Sequence, residues 1–277
     1  MRTIAVVAQK GGQLKTTSVV NMAACLAGQG RRVLVIDTDT QANATYVLLR
    51  GNPPRRPTLS DVLTGTATAD EAIVPSGVEG VELIPADPGL ADVNVAIASE
   101  VGRERRLRAA LAEMTEAFDV CLVDTGPTRS LLTTNVLNAV REVVVPVGPG
   151  VFGFLGLGQL QADMNLVRRF LENKALTLTG VFLVLMERNN VSKDFERQIR
   201  EMYGELVCRA TIPRAVKFEE ANARQLTIFE HARMSPGARA YEALTREVMN
   251  RGRAKSEEDR DDATSAAVGD IPTHDAA

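Results

Sequence analysis

Residues Thr3-Ile4-Ala5-Val6-Val7-Ala8-Gln9-Lys10-Gly11-Gly12-Gln13-Leu14-Lys15-Thr16-Thr17 decide how this chain folds. The first six form an apolar, β-branched run of the kind that fills a buried parallel strand. From Thr17 to Gly28, Val20, Ala23, Ala24 and Ala27 recur at helical spacing. The octet from Lys10 to Thr17 lies between them, where a phosphate-binding loop would lie. The usual loop reads G-x-x-x-x-G-K-[ST]. Its backbone N–H groups cradle phosphates, its lysine reaches the β and γ phosphates, and its hydroxyl binds Mg²⁺. Here Gln9 and Leu14 stand at the two glycine positions, while Lys15 and Thr16 keep theirs. A loop between a strand and a helix aims amides and the positive helix end at an anion. The expected nucleotide contacts are therefore Lys10, Gly11, Gly12, Gln13, Leu14, Lys15, Thr16 and Thr17. The competing reading is a glycine-rich turn that only connects the two elements.

With 277 residues, 45% of them hydrophobic, the chain suits one α/β domain of about 250 residues plus a tail. No apolar run approaches the roughly 20 residues of a membrane span, and Met1-Arg2 lead straight into a strand. These features predict a cytoplasmic protein without a signal peptide. Cys25, Cys121 and Cys208 are far apart among apolar neighbours and read as small core residues. Two histidines and no Cys/His spacing motif argue against a protein-built zinc site. Charge is unevenly spread. Residues 254–277 carry two basic and seven acidic side chains, a balance of −5, so residues 1–253 carry +2 of the net −3. This stretch has no aromatics and is expected to be a disordered tail. It is either a solvated terminus or a segment that tunes contact with DNA or a partner.

Outward from the loop, Val33–Asp37, Val81–Pro85, Val120–Asp124, Val143–Val147, Val181–Met186 and Val207–Ile212 read as strands. Helical patterns cover Glu100–Phe118, Leu155–Glu172, Ser192–Tyr203 and Pro236–Arg251. Such alternation predicts an α/β fold: a mostly parallel, twisted sheet flanked by helices on both faces. Ligands of such sheets bind at the carboxyl ends of the strands. Two strands end there in acid, one at Asp37-Thr38-Asp39 and one at Asp124-Thr125-Gly126-Pro127. A carboxylate closing an apolar strand is costly unless it meets solvent, a metal or a catalytic water. Beside a triphosphate loop, Thr16 suits direct Mg²⁺ ligation, Asp124 the metal shell through water, and Asp39 the orientation of an attacking water. Helix capping is the alternative role for each acid.

In these motifs the chain resembles the ParA/MinD group of deviant Walker ATPases, and within it the ParA-type partition ATPases. The loop KGGxGKT[ST] is matched at Lys10, Gly11, Gly12, Lys15, Thr16 and Thr17. The motif DxDPQxNAT is matched at Asp37, Asp39, Gln41, Asn43, Ala44 and Thr45, with Thr40 in place of proline. Phe118-Asp119-Val120-Cys121-Leu122-Val123-Asp124-Thr125-Gly126-Pro127 resembles the Walker B strand. Ile212-Pro213-Arg214 and the run from Glu220 to Val248 continue the likeness, which spans roughly residues 2–250.

The resemblance implies a P-loop NTPase of the deviant Walker type, acting as an ATP-dependent sandwich dimer with Mg²⁺. Lys10 would reach the partner subunit's nucleotide while Lys15 serves its own, and Pro213 joins the nucleotide-binding set. Hydrolysis would be slow and act as a timer, with Lys10, Lys15 and Asp39 as catalytic residues. The implied partners are nonspecific DNA in the nucleoid and a centromere-binding or cargo-adaptor protein that stimulates hydrolysis. Between Arg188 and Arg253, thirteen basic residues face nine acidic ones, a balance of +4. Arg209, Arg214, Lys217, Arg224, Arg233 and Arg239 are the candidates for phosphate contact, the alternative being a solvated face. A MinD-like membrane anchor would end in a basic amphipathic helix, unlike this acidic end. An iron–sulfur relative would carry paired cysteines, and a longer ParA would carry an N-terminal helix-turn-helix. Two alternatives stay open: a positioner of protein cargo, and a nonhydrolysing scaffold. The second rests on Leu14, since the loop glycine adopts backbone angles that cost an L-residue about 1–2 kcal/mol and a side chain there could crowd the phosphates.

Overall fold

Runs that look uniformly apolar in the sequence divide between two cores. Ile4, Val33, Val35, Val120 and Leu122 pack into one hydrophobic cluster, and Ala5, Leu34, Ile36, Cys121 and Val123 into another. Successive strand residues point to opposite faces, so a strand covered on both sides must be apolar at every position.

The computed structural model describes residues 1–114, 118–150 and 152–251. Its strands are β1 (Arg2–Val6), β2 (Val33–Asp37), β3 (Val74–Pro75), β4 (Val81–Ile84), β5 (Val120–Asp124), β6 (Glu142–Val147), β7 (Thr177–Met186) and β8 (Val207–Pro213). They form one sheet in the order β3-β4-β2-β5-β1-β6-β7-β8, parallel except for the two-residue edge strand β3. The helices are α1 (Lys15–Ala27), α2 (Asn43–Leu48), α3 (Leu59–Thr64), α4 (Ala69–Ala72), α5 (Leu90–Ala96), α6 (Arg106–Glu113), α7 (Leu131–Ala139), α8 (Phe152–Phe170), α9 (Asn190–Tyr203), α10 (Val216–Ala223), α11 (Ile228–Ala232) and α12 (236–251). α1, α2 and α10 to α12 cover one face of the sheet, and α3 and α5 to α9 the other. The expected architecture is therefore present.

Several boundaries differ from expectation. The first strand stops at Val6 rather than Ala8, because the chain turns into the loop once the Val7 N–H has donated to the Val144 carbonyl at 3.1 Å. The helix expected over Glu100–Phe118 is a short 3₁₀ turn followed by α6. Gly102 at φ +76° delays its start, and extended backbone at Met114 ends it. Strand β7 begins at Thr177, four residues before expectation. Helices α2 to α5, α7, α10 and α11 and the edge strand β3 were not anticipated. Three of these helices carried a legible signal, the capping boxes Thr58/Asp61, Thr68/Glu71 and Thr227/Glu230. The proposed tail, 254–277, lies outside the described residues.

The chain leaves β1 toward β2 on one side, then passes from β5 to β6 on the other. The carboxyl ends of β1, β5 and β2 therefore sit where the direction of winding reverses, the position at which such sheets bind ligands. α1, which starts there, is fastened to the C-terminal helices. The Asn21 carboxamide oxygen accepts from the Ile228 N–H at 2.7 Å, and Ser18 Oγ lies 3.1 Å from the hydroxyl of the fully buried Tyr241.

Candidate nucleotide site

The loop between β1 and α1 needs two residues with left-handed backbone. Gly12 (φ +75°) meets that need without cost, but Leu14 (φ 52°, ψ 29°) does so as an L-residue. The Leu14 side chain is half-buried against the hydrophobic cluster on the α1 face. Contact with that cluster offsets the strain, which explains how a large side chain is accommodated at a glycine position. α1 follows immediately, with the Ser18 N–H bonded to the Leu14 carbonyl at 2.8 Å. No side chain caps its N-terminus and its first turn holds no acid. By contrast, α4, α7, α9 and α11 are capped by their own Thr, Ser or Asn side chains. Free N–H groups and the positive end of a thirteen-residue helix make the start of α1 suited to an anion.

Around this helix end the structure gathers the lysines and acids chosen from the sequence. Lys15 is buried and folds back over its own loop, with Nζ 3.5 Å from the Lys10 carbonyl. Burial lowers its pKa, opposed by the charges of Asp124 and Asp39. Lys10 is exposed at the rim. It lines a cavity of about 560 Å³ with Gln9, Gln13, Gly156, Leu157 and Leu160. Gln13 is buried, and its carboxamide oxygen accepts the Gly148 N–H, pinning the loop to the end of β6. Gly11 is exposed beside it, and Thr17 is buried in the first turn of α1.

The acids sit on neighbouring strands, with Asp37 opposite Asp124 in the β2–β5 register. Both are fully buried. Thr16 Oγ1 donates to Asp124 Oδ2 at 2.7 Å, and the Thr125 N–H donates to Asp124 Oδ1 at 3.1 Å. This pairing of a hydroxyl with a buried carboxylate fits Mg²⁺ held by Thr16 with Asp124 behind it. Asp37 has a different job. Its carboxylate accepts from the N–H and hydroxyl of Thr45, both at 2.8 Å, and from the Asp39 N–H at 3.1 Å, so it holds the β2–α2 turn. That turn places Asp39, whose Oδ1 accepts the Gln41 N–H at 3.0 Å.

Sequence reading missed the groups that support this set. Thr38 donates its N–H and hydroxyl to the Asp124 carbonyl at 3.0 and 2.6 Å, and the Thr125 hydroxyl bonds the Val6 carbonyl at 2.9 Å. These hydroxyls lock β2, β5 and β1 together at their carboxyl ends. Their position just after each strand acid was a usable signal. Gly126 gave none: it packs against Asp39, and a β-carbon there would lie 3.4 Å from Asp39 Oδ1, in ordinary van der Waals contact.

Pro213 ends β8 on the same edge, three strands from β1, or about 14 Å at the usual strand spacing. The six basic candidates do not form one patch. Arg214 pairs with Glu187 at 3.0 Å and Lys217 with Glu220 at 2.7 Å near that edge. Arg233 and Arg239 line one cleft, Arg209 lines the next, and Arg224 is exposed after α10. Arg246, which the sequence reading did not single out, lines both clefts. All three cysteines are buried, as expected.

Burial pushes the Asp37 carboxyl up to about 6. It pushes Asp124 well above the ordinary carboxylate range, with the charges of Asp37 and Asp39 adding to the rise. A carboxyl raised in the folded state favours folding below its unfolded pKa, near 3.9, and loses that contribution as pH climbs through the folded value. Without nucleotide, the melting temperature of Asp124→Asn minus that of wild type is therefore expected to grow as pH rises from about 5.5 to about 8.5. A difference that stays constant over this range in thermal melts would refute the buried-charge account.

A family model described as an AAA domain matches residues 1–178. The chain is 36% identical over 256 residues to the chromosome partitioning protein ParA of Caulobacter vibrioides, covering 91% of this chain and 96% of that one. It is 34% identical over 252 residues to the sporulation initiation inhibitor protein Soj of Bacillus subtilis, covering 91% and 99%. Among solved structures, it is similar to cobyrinic acid a,c-diamide synthase from Mycobacterium smegmatis with bound ATP analog and magnesium. That likeness has a TM-score of 0.78 at 32% identity and covers 92% of this chain and 97% of the other.

Proposed function

The chain belongs to the ParA/Soj family of partitioning ATPases, and from that premise we propose that it is an ATP-dependent dimerising switch that binds DNA without sequence preference. One observation carries the reading: the uncapped N-terminus of α1, the buried Lys15 and the Thr16–Asp124 pair converge at the carboxyl ends of β1 and β5. ATP would lie with its phosphates on the amides of residues 10–17, with Pro213 as a further member of the nucleotide-binding set. Thr16, with Asp124 behind it, would hold Mg²⁺, which would supply positive charge to the β and γ phosphates. Lys15 stabilises the transferring phosphoryl group, and Asp39 orients the attacking water. Lys10 stands exposed at the rim, where it can reach a nucleotide in a second copy and so make dimerisation report on nucleotide state. Hydrolysis is slow and ends the DNA-bound state, with a centromere-binding or cargo-adaptor protein speeding it. No described helix is long and apolar enough to cross a membrane.

Leu14 is the test of the nonhydrolysing alternative. Its left-handed backbone costs about 1–2 kcal/mol, and partial burial of leucine returns a similar amount. Leu14→Gly is therefore expected to change ATP affinity and stability only slightly, under about fivefold in Kd, and wild type is expected to bind and turn over ATP. If wild type binds no ATP where Leu14→Gly does, the chain is a scaffold. Retention on arbitrary duplex DNA should require ATP over ADP and fall steeply with salt. Retention indifferent to both nucleotide and salt would sink the switch.

A further inference from the structure

The basic surface around α12 is adjacent to a strongly acidic segment of the same chain. On the back of α1, Arg233, Arg239 and Arg246 line a cleft of about 500 Å³ over Cys25, Gln29 and Phe229. Arg246 also borders a second cleft with Arg209 and Arg251. Arg251 is bound to Glu247 at 2.8 Å, but no ion pair engages Arg209, Arg233, Arg239 or Arg246 among the described residues. Arg239 and Arg246 are seven residues apart, so they lie on nearly the same helix face, about 10 Å from each other along the axis. Among the described residues Glu242 is the one acid lining the first cleft, and Glu205 and Glu247 line the second. The result is a strip of arginines with few internal counter-charges.

The described residues end within α12 at 251, and Glu257, Glu258, Asp259, Asp261 and Asp262 follow within eleven residues in the sequence. Six residues of extended chain span up to about 20 Å. Arg246 lies about 8 Å and Arg239 about 18 Å back along α12 from residue 251. The acids can therefore double back onto both arginines without moving any described element. Tethering raises their local concentration to the millimolar range, so a weak contact is enough to occupy the strip. The geometry points to an intramolecular lock: residues 254–277 lie on the Arg233/Arg239/Arg246 strip and compete there with other polyanions. If, as proposed above, DNA is the chain's partner, DNA phosphates are the competitor and the tail sets the threshold for binding.

The test uses a fluorescent peptide of residues 254–277 and three full-length proteins. They are wild type, a tail-neutral variant (Glu257→Gln, Glu258→Gln, Asp259→Asn, Asp261→Asn, Asp262→Asn) and that variant with Arg239→Glu and Arg246→Glu added. In anisotropy titrations at low salt the tail-neutral protein should bind the peptide. Wild type should bind it at least about fivefold more weakly because its own tail competes. The arginine-reversed protein should not bind it, and raising salt should weaken the binding. Failure of the tail-neutral protein to bind the peptide, or equal binding by the arginine-reversed protein, overturns the lock. A parallel titration with duplex DNA and ATP should show tighter binding by the tail-neutral protein than by wild type. Absence of DNA binding in every protein would refute the DNA reading alone, because the peptide arms decide the lock without it.

Discussion

Lys15→Ala is expected to weaken ATP binding roughly 10- to 100-fold and to abolish turnover. The side chain is held over its own loop, near Asp124 and Asp39, by burial and by the carbonyl of Lys10. A hydrogen bond from a charged group is worth about 1.5–3 kcal/mol, and each 1.4 kcal/mol is a factor of ten in affinity. The same substitution removes the cation that offsets the acids of β5 and β2, so Asp124 becomes still harder to ionise. Lys15→Gln, one atom shorter and uncharged, keeps a donor and serves as a control for folding. Calorimetric titration with a nonhydrolysable ATP analogue and Mg²⁺ measures the effect. Affinity within about threefold of wild type for both variants would mean that the phosphates do not lie at this loop.

Asp39→Ala should separate binding from chemistry. ATP affinity should stay close to wild type while turnover falls about 100-fold or more, the range expected for losing a group that positions or deprotonates a nucleophile. ATP-dependent association of two copies should then last longer, because the step that ends it is removed. The expectation rests on a contrast between two neighbouring acids. Asp37 is fully buried and spends its carboxylate on Thr45 and the Asp39 N–H, whereas Asp39 is tied at Oδ1 to the Gln41 N–H. Asp37 therefore shapes the turn and Asp39 is what the turn presents. Parallel loss of binding and turnover in Asp39→Ala would make its role structural, like that of Asp37. Unchanged turnover would remove it from the mechanism.

How much of this was legible depended on how local the cause was. The strand–loop–helix unit around Lys15 was readable because its three parts adjoin in the chain, and capping boxes marked α3, α4 and α11 in the same way. Strand acids could be picked out because a carboxylate at the end of an apolar run is anomalous wherever the strand lies. Helix boundaries were less legible. The run from Glu100 to Phe118 keeps a helical pattern, yet Gly102 and the extended backbone at Met114 confine α6 to Arg106–Glu113. Distinguishing Asp37 from Asp39 required knowing which amides reach each carboxylate, and Gly126 became meaningful only with Asp39 against it.

The sequence by itself determined the fold class and singled out the candidate phosphate loop, lysines, hydroxyl and acids, because each follows from residue type and near-neighbour spacing. Only the tertiary structure decided which of these meet. Parallel pairing sets β5 between β1 and β2, so Asp124 comes to rest against Thr16 and opposite Asp37, across 108 and 87 residues of chain. The folded chain also puts Arg233, Arg239 and Arg246 along one cleft, while Arg214 pairs with Glu187. The direction of one side chain was settled in the same way. Leu14 holds a glycine's backbone because a nonlocal apolar cluster receives its side chain, and no spacing rule within the loop encodes that cluster.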